Sequence, residues 1–289
     1  MFDLRYHVAS LAAVFVALIV GILVGVGLAG SGVTNKADLQ AAHFQRDQAR
    51  ADANTYKQQR DQLERAADAF DLAYPAVMSD LLVGKRFAVL FVGHVDGGIN
   101  QAIEQMLLDA GAEPVVRVIS LSVPVNAQNL DNVLFDKGPQ FVKYVGNDKL
   151  ESLGNALGSE FATEGPTPLW KALGKQLIGE RSGNLRERVD GVVVARTVKP
   201  QQGDTARFLE GIYKGVAASG IPAVGVENSD TKLSETAVPV YRDHGLSAVD
   251  DIDLTTGRAA LALLLAGAAP GKYGTADGAD AILPKLAGG

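Results

Sequence analysis

The stretch from Val8 to Leu28, VASLAAVFVALIVGILVGVGL, carries no charge and a single hydroxyl, Ser10. At 1.5 Å per residue, about 20 apolar residues are needed to cross roughly 30 Å of hydrocarbon, and a run of this length meets that requirement. Cleavable secretory signals have a shorter apolar region of about 7–15 residues. The small-residue pattern Gly27-Leu28-Ala29 keeps a cleavage reading open beside that of a permanent anchor. A lipoprotein reading of LAGS is closed, because Ser31 stands where the acylated cysteine would be. Ala9, Ala13, Ala17, Gly21 and Gly25 recur every fourth residue. In lipid such a ladder lets two helices approach closely, so it is the expected association face of the anchor. Arg5 precedes the run and Lys36 is the first basic residue after it. The positive-inside rule then gives a single-pass cell-membrane protein with a cytoplasmic N-terminus and an extracytoplasmic body.

After the joint Gly30-Ser31-Gly32, the segment Thr34 to Tyr74 contains neither Gly nor Pro and is rich in Ala, Gln, Arg and Asp, a helix-favouring mixture. A heptad runs through Leu39, Ala53, Tyr56, Leu63 and Phe70. Alanines and two arginines, Arg46 and Arg60, fill other core positions, so this seam is thin and calls for a partner helix. The rival reading is a solvated helix lying on its own domain, with mixed charge around it. Pro75 is the expected end of the helix. The expected layout is a transmembrane anchor over 1–32, a coiled-coil stalk over 33–75 and an extracytoplasmic domain over 84–289.

That last region alternates strand and helix patterns. RFAVLFV, VVRVISLS, DGVVVARTV and IPAVGVE are short apolar runs of the kind buried parallel strands require, and a further strand is read near VPVY. Amphipathic helices fall around Ile99 to Ala110 and over DTARFLEGIYKGVAASG. AALALLLAGAA is too short to span a bilayer and reads as a helix on the sheet, with Thr255 or Thr256 as its cap. The fold class expected is therefore α/β, with a mostly parallel, Rossmann-like layered sheet and an irregular helical insert at about 123–185.

The net charge of −6 excludes a dedicated nucleic-acid binder. With no cysteine, disulfides, thiolate metal sites and cysteine nucleophiles are absent. The loop GHVDGG follows a strand and opens a helix, the position of phosphate-binding loops, and His94, Asp96, Gly97 and Gly98 are its candidate ligand residues. It lacks both glycine fingerprints of nucleotide sites, and Asp96 would repel an anion. A tight strand-to-helix turn explains it equally. Asp250, Asp251 and Asp253 suit either a hard cation or the positive end of the following helix. No nucleophile–base motif appears, and the expectation is a protein that is not an enzyme. Arg181, Arg186 and Arg188 read as a solvated basic surface.

MFDLRYHVASLAAVFVALIVGILVG, QQGDTARFLEGI, VDDIDLTTGRAALALLLAG and KYGTADGADAILP together resemble the actinobacterial MctB copper transporter family over almost the whole chain. The resemblance extends to SteB-like proteins and implies a role in cell separation, in which a membrane anchor and coiled coil pair with a partner protein to influence peptidoglycan hydrolysis. Copper enters as cargo through the resemblance alone. Copper(I) prefers Cys and Met, and the chain has no cysteine and three scattered methionines. The residues themselves point to a membrane-tethered scaffold, either homo-oligomeric or paired with a coiled-coil protein, with no cofactor of its own. Copper transport and a ligand-binding or enzymatic loop at Gly93–Gly98 stand as the alternatives.

Overall fold

The computed structural model describes residues 17–19, 22 and 36–285. Two compact units divide the chain at Ala66 and Ala67. Helix α1, Lys36–Met78, begins in the first unit. Every side chain from 43 to 60 is exposed, including Phe44 at 69% and Tyr56 at 72%. Charged and amide residues on all sides make this a fully solvated helix, with side-chain pairs such as Arg60 with Glu64 along it.

The expected transmembrane helix and coiled-coil stalk are therefore corrected. Among the described residues no helix is long and apolar enough to cross a membrane. α1 is polar along its length, and among the described residues no second helix covers its side chains at residues 43 to 60. Most of the Val8–Leu28 run, with Ala9, Ala13, Gly21 and Gly25, lies outside the described residues; Ala17 is helical and exposed. Pro75 does not end α1. Tyr74 and Met78 are buried in the core of the second unit, and that burial carries the helix one turn past the proline.

The second unit is α/β. Its elements are β1 (Phe87–Val92), α2 (Gly97–Asp109), β2 (Arg117–Leu121), α3 (Ala127–Lys137), α4 (Leu150–Ala162), α5 (Pro168–Leu177) and β3 (Ile178–Gly183). They continue with β4 (Gly191–Arg196), α6 (Gly203–Ala217), β5 (Ala223–Val226), α7 (Val238–Asp243), β6 (Ser247–Val249), α8 (Thr255–Leu265) and β7 (Lys272–Tyr273). The sheet order is β3-β2-β1-β4-β5-β6-β7. All neighbours are parallel except β3, which runs antiparallel to β2 at the edge, so the sheet is mixed. VPVY is not a strand: Pro239 falls in the first turn of α7, where its fixed φ suits a helix start.

β1 is buried throughout and its side chains alternate between two cores. Ala88, Leu90 and Val92 face the layer containing α4, α5 and α6, while Phe87, Val89 and Phe91 face α2, α8 and the end of α1. A central strand covered on both faces has to be apolar at every position, which is why FAVLFV is a continuous run.

The insert region is ordered by one contact. Gly154 and Gly158 on α4 face Gly211 and Gly215 on α6, and the two backbones touch. A Cβ added at Gly154 would lie 2.1 Å from the Phe208 carbonyl oxygen, and one at Gly211 would lie 2.1 Å from that of Glu151. Gly158 and Gly215 meet the Ile212 and Asn155 carbonyls at 2.2 Å and 2.0 Å in the same way. Any side chain on this seam separates the helices. Gly211→Ala should therefore destabilise by about 1–3 kcal/mol despite the better helix propensity of alanine. Gly97→Ala, which would meet nothing within 4 Å, should be neutral or slightly stabilising. Thermal melts of the two variants check this; equal melting temperatures would refute the seam.

Candidate functional site: the crevice at the strand ends

β1 leads through α2 to β2 on one side, whereas β4 lies on its other side. This reversal of strand order opens a crevice at the carboxyl ends of β1 and β4, the place where doubly wound sheets bind ligands. A cavity of 430 Å³ occupies it, lined by residues that end β1, β4 and β5, including His94, Asp96, Arg196, Lys199, Glu227 and Asn228.

Its walls are tied together. Gly93 has φ of +111°, and a Cβ there would lie 2.6 Å from the Thr197 hydroxyl oxygen. The turn after β1 thus needs glycine for both its conformation and its contact. The Thr197 hydroxyl donates to the His94 carbonyl at 2.8 Å, joining the β1 and β4 loops. Arg196 donates from Nη2 to the Glu235 carbonyl at 2.5 Å. Glu227 is buried, and its carboxylate accepts from the Thr236 hydroxyl at 2.6 Å and the Ala237 amide at 2.8 Å.

The expected ligand loop is placed as follows. His94 and Asp96 line the cavity, and Gly97 and Gly98 open α2. Asp96 is the helix cap: its Oδ1 accepts from the Ile99 amide at 2.9 Å. A carboxylate already fills the position an anionic ligand would take at this helix end. The crevice carries cationic groups on Arg196, Lys199 and Lys232 and carboxylates on Asp96, Glu227, Asp230 and Glu235. Such mixed polarity suits recognition of a neutral or zwitterionic polar molecule. Arg196, Thr197 and Glu227 were not singled out from the sequence; the available signal was a polar residue closing an apolar strand, as in VVVART and AVGVE.

The three aspartates do not converge on one point. The carboxylate of Asp253 accepts from the Ser229 amide and hydroxyl, both at 2.7 Å. Asp251 accepts from the Thr256 hydroxyl at 2.9 Å, and Asp250 from the amides of Thr275 and Ala276 at 2.8 Å and 3.1 Å. Thr256 thus serves Asp251, and α8 has Leu254 at its N-cap, with no side-chain cap bond. Among the described residues no three His, Cys, Asp or Glu side chains gather as a metal-ion group. Of the other proposed residues, Ala53 and Tyr56 are exposed on α1, and Phe70 is half-buried against the second unit's core. The side chains of Leu39 and Leu63 lie outside the described residues.

A doubly wound mixed sheet with a polar crevice at its switch point, following a long solvated helix, defines an α/β protein by class. The chain belongs to the MctB family: residues 1–284 match the family described as copper transport outer membrane protein, MctB. It is 27% identical over 315 residues to the copper transporter MctB of Mycobacterium bovis (strain ATCC BAA-935 / AF2122/97). The copper transporters MctB of Mycobacterium tuberculosis strains CDC 1551 and H37Rv match equally, and each alignment covers 98% of this chain and 99% of the relative.

Burial pushes the Asp251 carboxyl up to about 6, with the Asp250 and Asp253 charges adding to it and the Thr256 bond opposing. A raised carboxyl favours the folded state below the ordinary aspartate range, and that contribution is lost as pH rises through about 6. Asp251→Asn removes the buried charge. It should raise the melting temperature by a few degrees at pH 7.5, and the gain should shrink towards zero by pH 4.5. Melting curves of both proteins across that range check it; a pH-independent difference would contradict it.

Proposed function

We propose that this MctB-family chain works in the cell envelope as a non-enzymatic, membrane-associated scaffold that acts with a protein partner, its α/β body extracytoplasmic. One observation carries the reading. Met78 and Met106, the thioethers of the described residues, are fully buried in the hydrophobic core, and the chain has no cysteine. Copper(I) is held by thiolate and thioether ligands, so the body presents no soft ligand at its surface. His43, His94 and His244 sit on α1, in the crevice and beside Tyr213, and do not gather on one ion. Copper transport in the family sense would then place the cargo on a partner, with this chain organising the assembly. Phe44, Tyr56 and Leu72 are exposed apolar side chains that α1 offers such a partner, a second copy or another chain. The likeness to SteB-like proteins supports cell separation as the process served.

A second reading rests on the crevice. A 430 Å³ cavity beside the Gly93–Gly98 turn suits a small polar ligand, which would make the body a sensor or an enzyme.

Affinity purification of the full-length chain from solubilised membranes, beside Phe44→Ser/Tyr56→Ser, tests the first. A partner is expected with the native chain and should be lost from the double variant, whose exposed sites leave its melting temperature unchanged. Copper(I) titration of the purified chain should show no stoichiometric binding. A tight one-to-one copper complex, with the same proteins recovered from both forms, would overturn the scaffold reading. A metabolite-dependent rise in melting temperature that Arg196→Ala abolishes would move the assignment to the crevice.

A further inference from the structure

On the opposite edge of the sheet from β7, a second cavity of 280 Å³ lies between the start of α5 and strand β3. Lys171, Arg181 and Arg186 line it together with Thr167 and Asn184, and no carboxylate does. Lys175 joins Lys171 and Arg181 around the adjoining hollow, again with no acidic lining residue. In a chain of net charge −6, this is a local reversal of sign. Among the described residues, none of these four cations forms an ion pair within 4.0 Å, whereas Arg188, just outside the cavity, is paired with Asp190 at 3.3 Å.

Beneath the cavity lies a fifth cation. Arg117 is fully buried, stacks 5.5 Å over the Phe161 ring, and donates from Nη1 to the carbonyls of Asn184 and Leu185, which belong to the cavity wall. Its Nε and Nη2 have no partner. Burial lowers its guanidinium to about 10, so it stays charged at neutral pH; Glu187 supplies the opposing attraction. The nearby Glu160 is already engaged by the amides of Leu169 and Trp170 at 3.0–3.2 Å. Protection of an exposed edge strand would explain a charge on β3 itself. It does not explain Lys171 on α5, Arg186 beyond β3, or a buried guanidinium facing the same wall.

We propose that this basic cavity is a binding site for phosphate esters, with Lys171, Arg181 and Arg186 as ligands and Arg117 holding the wall that carries them. Guanidinium groups match phosphate oxygens in a forked, two-bond geometry, and several cations around one hollow favour a dianion over a carboxylate. The volume accommodates a phosphate and a small attached group. The same chemistry is offered by a soluble phosphate ester and by an anionic lipid headgroup.

The test uses the full-length protein with glycerol 3-phosphate in calorimetric titration, and phosphatidylglycerol against phosphatidylcholine vesicles in flotation. Arg181→Gln/Arg186→Gln should weaken binding at least tenfold, while Arg188→Gln should bind as the native protein does. Loss of the glycerol 3-phosphate signal in the double variant assigns a soluble ester. Loss confined to the difference between the two vesicle types assigns a headgroup. The inference is overturned if the native protein responds to neither ligand, if the double variant binds like the native chain, or if Arg188→Gln weakens binding equally. Matched melting temperatures of the variants establish that each is folded.

Discussion

Four glycines bring α4 and α6 together backbone to backbone, and much of the second unit's geometry follows from that contact. α6 is the crossover between β4 and β5, so it is fixed to the centre of the sheet. α4 belongs to the long connection between β2 and β3. Because the pair leaves no space for a Cβ, α4 has one position available to it. The next elements inherit that position: Glu160 at the end of α4 caps the first amides of α5, and the Trp170 indole donates to the Leu157 carbonyl at 2.9 Å. α5 in turn delivers the chain to β3. Two helices in direct contact thus place an edge strand, and with it the basic cavity, at the β3 edge of the sheet.

Both concave sites follow from how the chain leaves the sheet. At the crevice, three parallel strands end together and each contributes its first polar residue, so charges of both signs meet in one cavity. At the basic cavity, a helix start and an antiparallel edge strand meet, and their carboxylates are either absent from the lining or engaged elsewhere. In the crevice carboxylates and cations share one lining, whereas cations around a hollow with no lining carboxylate keep their reach for an external anion. The two sites therefore differ in what they can bind although both are polar.

The α/β alternation was legible because central strands covered on both faces are apolar at every position, as in FAVLFV and GVVVAR. Edge elements left no such trace. β3, IGERSG, is mostly exposed, and β6 and β7 are three and two residues long, too short for a pattern. The apolar tetrapeptide VPVY suggested a strand by composition, but a proline in a first helical turn costs nothing there and presets the backbone. Helix α1 passed Pro75 because burial of Tyr74 and Met78 outweighs one missing backbone bond. The heptad on α1 failed as a guide to pairing for a related reason. Alanine and arginine fill several of its seam positions, and Phe70 faces the body's core.

The aspartates after β6 show why adjacency in sequence does not amount to a site. Successive residues leaving a strand point in different directions, and each carboxylate meets a different neighbour: the loop after β5, the first turn of α8, and the turn after β7. Asp250 and Asp251 are buried, where a carboxylate without such bonds would be expensive, whereas Asp253 is exposed and holds the loop after β5. Asp251 has one hydroxyl donor and an unpartnered Oδ1, and burial raises its proton affinity. The same reasoning separates His94 from its neighbour. Asp96 is engaged by the helix it caps, and the β1 turn brings the His94 imidazole to the cavity wall beside it.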